Sequence, residues 1–210
     1  MRVFLRPWMA FIGFCLLASS SVVAWGAEAD KAVADKSANK ADDKVAAKQH
    51  IKFADGKLQL TAPEGWKRAK PQNAIIEHEF AVPAAEGDER GGRVTLMGAG
   101  GTVDANIERW FGQFTQPDGG DTKDKYKEKT KKLEIAGLQV HVVDMGGTYK
   151  DSQGPFNPAA AVEREKYRML AAVITSPKLG NYFVKFYGPE RTVSENAKAF
   201  DAMIRGLQKN

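Results

Sequence analysis

Cysteine is almost absent from this sequence: Cys15 is the only one in 210 residues. It lies in an N-terminal apolar stretch that reads as a removable leader. The chain beyond it therefore has no internal disulfide, no thiol nucleophile and no cysteine-bound zinc. Histidine is also scarce, and His50, His78 and His141 are too scattered for the H-E-x-x-H spacing of a zinc hydrolase. Ser152, Ser176 and Ser194 lack a G-x-S-x-G elbow, which argues against a serine hydrolase. A concentrated basic stripe is missing too. Thirty-one Lys and Arg stand against 26 Asp and Glu, a net charge of +5 that falls to +3 without Arg2 and Arg6. Nucleic acid is not an expected partner for so weak and dispersed a charge.

What is present begins with the leader. Arg2 and Arg6 precede an apolar run from Trp8 to Ala18, eleven residues interrupted only by Gly13. That length suits a signal peptide and falls short of the roughly 20 residues that span hydrocarbon. Ala24 and Gly26 place small residues at −3 and −1 of a cut after Gly26, and cuts after Ala24 or Ala29 are alternatives. An uncleaved anchor is a further alternative, because Val22, Val23 and Trp25 extend the apolar stretch. Phe14 before Cys15 argues against lipidation. The expected organisation is a signal peptide at 1–26, a charged linker at 27–49 and one domain at 50–210, located in the periplasm or outside the cell. The linker alternates Lys31, Lys36, Lys40, Lys44 and Lys48 with five acidic residues, and only Val33 and Val45 exceed alanine in apolar bulk. So little can be buried that a solvated spacer is expected.

From His50 onward strand and helix patterns alternate. Asp55-Gly56 between Ile51–Phe53 and Leu58–Thr61 signals a hairpin, and Pro63-Glu64-Gly65 a turn presenting Trp66. Alternation predicts a strand over 74–82, with His78 on the face opposite Glu77 and Glu79, and another over 93–97. Thr102 caps a helix over 102–115 with Val103, Ile107, Trp110 and Phe114 at helical spacing. Turn-rich 116–125 leads to a charged edge strand over 126–135. Ala136-Gly137 turns it into 138–145, and Pro155 and Pro158 mark a long loop. Strands follow over 167–175 and 182–187. Thr192 with Glu195 reads as a capping box opening a terminal helix through Val193, Ala197, Phe200, Ile204 and Leu207. The fold class expected is α+β, an antiparallel β-sheet flanked by helices.

Phe53 followed by A-P-E-G-W (62–66), N-I-E-R-W-F-G-Q-F (106–114) and F-V-K-F-Y-G-P-E-R-T-V (183–193) before a terminal helix resembles the PsbP-like fold. That superfamily also includes the Ran-binding Mog proteins and bacterial envelope members. The resemblance spans residues 50–208 and implies an α/β/α sandwich and a non-enzymatic partner of other proteins. No partner-binding motif of either group matches here.

Three local features invite a functional reading. Gly98-Ala99-Gly100-Gly101 before a helix could cradle phosphate, but it lacks the Walker lysine and reads better as a strand-to-helix turn. Lys123–Lys132 holds six lysines and reads as an edge strand protected by charge, with weak contact to an anionic membrane surface as the alternative. Asn106, Arg109 and Gln113 fall at i, i+3 and i+7 beside Trp110. They are the candidate partner-binding residues, the bland alternative being a solvated helix face. No catalytic residue, metal ligand or cofactor is expected. The function expected is a non-catalytic binding or assembly factor of the cell envelope with an envelope protein as partner. A small-ligand or lipid carrier using a sheet–helix cleft is the alternative.

N-terminal sequencing of the native protein should find a start near Ala27, and an intact Met1 or a lipid on Cys15 would refute the leader. Deleting 28–48 should shift the melting temperature by only about a degree or two, since a segment that buries almost nothing contributes little stability.

Overall fold

A computed structural model describes residues 49–152 and 161–210. The leader, the linker up to Lys48 and the loop containing Pro155 and Pro158 lie outside the described residues. The first element is the hairpin of β1 (Gln49–Phe53) and β2 (Leu58–Ala62), with Phe53 opposite Leu58. The Lys57 N–H donates to Ala54 O at 3.1 Å. Asp55 and Gly56 take φ of 54° and 78° between them, the double positive φ of a type I′ turn. β11 (Gln208–Lys209) joins this hairpin through β2, so the chain's last residues tie down its first strands.

The main sheet takes β3 (Lys67–Ala69), β4 (His78–Val82), β5 (Gly92–Ala99), β6 (Phe114–Thr115), β7 (Lys131–Ile135), β8 (Leu138–Asp151), β9 (Val162–Ser176) and β10 (Gly180–Pro189). Its order is β3-β4-β5-β10-β9-β8-β6, with β7 also on β8 and every pairing antiparallel. Ala136 and Gly137, at φ 52° and 65°, make a two-residue turn between β7 and β8. β8 bulges near Gly147, where a Cβ would come within 2.5 Å of Thr115 O. Glycine there lets β6 lie against the strand.

Two apolar cores form, one on each face of this sheet. On the first, Leu96, Ala172, Ile174, Val184 and Phe186 pack under the hairpin, Trp66 and the C-terminal helices. Those helices are α3 (Glu190–Glu195) and α4 (Ala197–Arg205). On the second, Val143, Met145, Met169, Val173 and Phe183 pack under α1 (Val103–Phe111) and Phe114. The architecture is the expected α+β, an antiparallel sheet with helices on both sides.

Several expected boundaries move. α1 stops at Phe111 with Gly112 as its C-cap, and Phe114 belongs to β6 rather than to the helix. The 74–82 strand starts only at His78, because Asn73 Oδ1 accepts the Ile75 and Ile76 N–H groups and holds a turn before it. Lys123–Lys132 is not one strand. Asp121 caps α2 (Thr122–Tyr126), a 3₁₀ turn follows at Lys127–Lys129, and β7 begins at Lys131.

The terminal helix is also two helices, and Thr192 is not its cap. Thr192 sits inside α3, where its N–H and hydroxyl both donate to Asp88 Oδ2, at 2.9 and 2.6 Å, and its hydroxyl accepts from Ala85 N–H. A carboxylate from a distant loop thus occupies the helix N-terminus, where the backbone dipole favours negative charge. Glu195 pairs with Arg191 instead of the backbone. Asn196 breaks the helix, donating to Thr192 O and accepting from the buried Trp66 indole N–H at 3.1 Å.

Ile107→Ala should cost about 2–5 kcal/mol by leaving a cavity under α1. Asp88→Ala should cost about 1–3 kcal/mol, since it strips two donors of their acceptor. Urea unfolding measures both, and a loss of a few tenths or less would show that the loop and helix are not coupled.

A cation cluster on the helix-covered face

The second face of the sheet changes character from one edge to the other. Reading across it, Glu79, Thr95, Lys185, Ala171 and Val143 are directly opposed neighbours on β4, β5, β10, β9 and β8. The next row holds Arg93, Tyr187, Met169 and Met145. The β8–β9 half is apolar and lies under α1. The β4–β5–β10 half carries charge.

Lys185 is 9% exposed. Its Nζ donates to Gln113 Oε1 at 3.0 Å and lies 5.6 Å from the Trp110 ring and 5.5 Å from the Tyr187 ring. No carboxylate pairs with it among the described residues. Burial, with the charges of Arg109 and Arg93, pushes the ammonium down to about 8. Aromatic faces and one amide oxygen hold a cation that a carboxylate would normally neutralise. Beside it, Arg93 donates to both oxygens of Glu79 at 2.8 and 2.9 Å and also to the Tyr187 hydroxyl. Burial alone would raise the Glu79 carboxyl, but the Arg93 hydrogen bonds and charge, with the Gln72 N–H, leave it below its ordinary value. Burial raises the Tyr187 and Tyr149 phenols.

α1 and the turn that follows it bring two of the three candidate residues to this cluster. Gln113 is the acceptor for Lys185, and Arg109 is exposed and donates to Asn106 Oδ1. Asn106 itself does not face outward as the helical spacing suggested; it is 1% exposed. Its amide donates to Gly100 O at 3.1 Å and Thr102 O at 2.8 Å, closing the first turn of α1. Thr102 Oγ1 accepts from Ala105 N–H, so Gly98–Gly101 serves as the turn into this helix. Trp110 is buried edge-on against Phe183 at 5.3 Å.

Sequence reasoning missed Lys185, Arg93 and Glu79. The signal for Lys185 was there: in Phe183-Val184-Lys185-Phe186-Tyr187 alternation puts the lysine on the face of Phe183 and Tyr187. Glu79 was assigned to the right face, but its burial is tertiary.

His78 and several lysines have local partners. His78 accepts from Arg68 at Nδ1 and its Nε2–H donates to Lys52 O at 2.9 Å. His141 faces α1 and is depressed by burial and by Lys132, while Asp144 on the opposite face pairs with Arg168. Lys123 pairs with Glu108, and Lys127 with Asp124. Among the described residues no group of three or more His, Cys, Asp or Glu could hold a metal, and no helix is long and apolar enough to cross a membrane. A separate groove of about 380 Å³ runs between α4 and β7–β9, floored by Leu133, Val142, Leu170, Phe200 and Ile204.

The Lys185 ammonium has a lower pKa folded than its ordinary 10.5, so between about pH 8 and 10.5 the unfolded chain binds more protons. Stability contributed by this site therefore rises with pH across that window, and the cost of the buried charge is fully present below it. The raised tyrosines oppose the trend above about pH 10. Lys185→Met removes the titrating group and should flatten the pH 7–9.5 slope. Denaturant titrations of both forms across that range test this; parallel profiles would refute it.

No family model matches the chain, and no curated protein matches it. The fold is similar to several solved structures. The cyanobacterial PsbP of Synechocystis is 11% identical, over 77% of this chain and 92% of that one, with a TM-score of 0.46. LpqN of Mycobacterium tuberculosis, described as involved in cell envelope biogenesis, is 9% identical over 77% and 89%, at 0.47. The Ran-binding protein Mog1p of Saccharomyces cerevisiae is 10% identical over 77% and 95%, at 0.44.

Proposed function

We propose that this protein is an exported, non-catalytic binding or assembly factor of the cell envelope that recognises a protein partner through the exposed flank of α1. The observation that carries this reading is the cation cluster. Arg109 stands exposed on α1, close enough for its charge to act on Lys185, which Gln113 and Trp110 hold in place. Arginine beside a buried aromatic on a rigid element is the composition of an interface anchor. The surplus positive charge would favour an acidic patch on the partner. The sequence features of the leader support an extracytoplasmic location.

A second reading, carriage of a small apolar ligand, is supported by the groove beside α4, whose floor is aliphatic and aromatic and whose rim carries the Arg168–Asp144 and Arg205–Asp201 pairs. A co-purifying small molecule in native mass spectrometry would favour it.

Arg109→Ala should leave the fold nearly intact, melting within a few degrees of the wild type because it removes an exposed side chain and one bond to Asn106 Oδ1, yet bind a captured envelope partner about fivefold more weakly or worse, a loss of ~1 kcal/mol or more. Affinity capture under mild detergent beside a thermal melt measures both. Full retention of every partner by this variant would reduce the flank to solvated surface.

A further inference from the structure

The geometry points to a small-molecule site next to this cluster: the cleft beyond Tyr187 is built to bind an oxyanion, either a carboxylate or a phosphate, on a ligand that also carries hydroxyl groups. The inference goes beyond the proposed partner contact and does not depend on it. The cleft encloses about 690 Å³ and is lined by Arg90, Arg93, Arg164, Asp151, Tyr167 and Tyr187, a volume within the usual range for metabolite pockets.

Charge supplies the first argument. Among the described residues Arg90, Arg93 and Arg164 line the cleft with Asp151; Arg93 and Arg164 are ion-paired, Arg90 carries the surplus charge, and Lys185 lies 5.5 Å from the Tyr187 ring. Arg93 is held in place from behind by Glu79. Arg164 donates to Asp151 through Nε at 3.3 Å, and its terminal nitrogens make no hydrogen bond among the described residues. Arg90 makes no ion pair among the described residues. Planar forks of this kind match carboxylate and phosphate oxygens two at a time, whereas a cation would be repelled.

The walls and floor supply the second. Tyr149 stacks on Tyr167, with ring planes 3° apart, and also packs on Tyr187 at 5.2 Å, which makes a stiff aromatic wall. Tyr167 lines the cleft together with Arg164 and Arg90, and burial raises its phenol. Gly91 and Gly188 leave bare backbone at the floor. A Cβ on Gly91 would meet Val82 O at 2.2 Å, and one on Gly188 would meet Gly92 Cα at 2.8 Å. Both glycines are required by the close approach of neighbouring backbone, and they border the cleft without adding side-chain bulk to it. Asp151 bonds Arg164 through Oδ2, and its Oδ1, which accepts no hydrogen bond among the described residues, is left to accept from a ligand hydroxyl next to the anion.

The experiment titrates the purified chain with citrate and, separately, with glycerol 3-phosphate, following backbone amide shifts by NMR and heat by calorimetry. The expected result is saturable shifts at Gly91, Gly92 and Gly188 with a dissociation constant of about 1 mM or tighter. Arg90→Gln, which breaks no hydrogen bond or ion pair among the described residues, should weaken binding about tenfold with an unchanged melt. Tighter binding of citrate assigns the site to carboxylates, and tighter binding of the phosphate to phosphorylated ligands. Shifts scattered over the surface, the absence of saturation with both probes, or unaltered affinity in both Arg90→Gln and Arg164→Gln would overturn the assignment. Because Arg109 lies on the α1 flank and does not line the cleft, loss of partner capture in Arg109→Ala with anion binding intact would separate this site from the proposed protein interface.

Discussion

The second half of strand β9 is buried on both sides, and the rest of the domain is arranged to make that possible. Met169, Leu170, Ala171, Ala172, Val173 and Ile174 are consecutive and all buried, although antiparallel sheets commonly leave one face to water. Each face therefore needs its own cover, and the chain supplies it from opposite directions. The N-terminal hairpin and the two C-terminal helices close the first face, and α1 with Phe114 closes the second. The apolar area removed from water on both sides is the main source of stability, so covers and sheet stand or fall together.

The second cover is too narrow for its sheet. α1 has nine residues and extends about 13 Å, which is less than three strand spacings of about 4.8 Å. It shields β8, β9 and the inner part of β10, and the β4–β5 side is left to polar residues. Those residues meet the burial problem in two ways. Glu79 and Arg93 neutralise each other through two hydrogen bonds, the arrangement that makes a buried charge tolerable. Lys185 has only an amide oxygen and aromatic faces, so it is carried at a cost. A destabilised, uncompensated charge beside a cleft is the pattern expected where a surface is kept for recognition rather than for stability.

The first cover shows a different economy, in which single side chains join distant segments. Asp88 serves the N-terminus of α3 from more than a hundred positions away, and Asn196 both ends that helix and satisfies the indole of Trp66. Trp66 then packs on Phe186 at the centre of the first core. Polar groups inside this layer are satisfied by loops, so the loops are structural.

Local chemistry alone was enough to read the hairpin at Asp55-Gly56, the turn at Ala136-Gly137, the Thr102 cap and the α+β class. Each depends on backbone preference or on alternation within a few residues, which the chain carries wherever it is placed. The Thr192 capping box failed because its donors found a better acceptor, a carboxylate that only folding brings near. Asn106 failed for a related reason. Helical spacing gives direction around the axis but not what lies beyond the first turn, and here the carbonyls of Gly100 and Thr102 claim the amide. Arg109 and Gln113 could be picked out as a polar row, yet that the row sits over a buried lysine follows from β10 lying between β5 and β9. Sheet order is set by long-range pairing, and no local pattern encodes it. For that reason the class of fold was legible in the residues, while the cation cluster and its cleft exist only once the strands are in register.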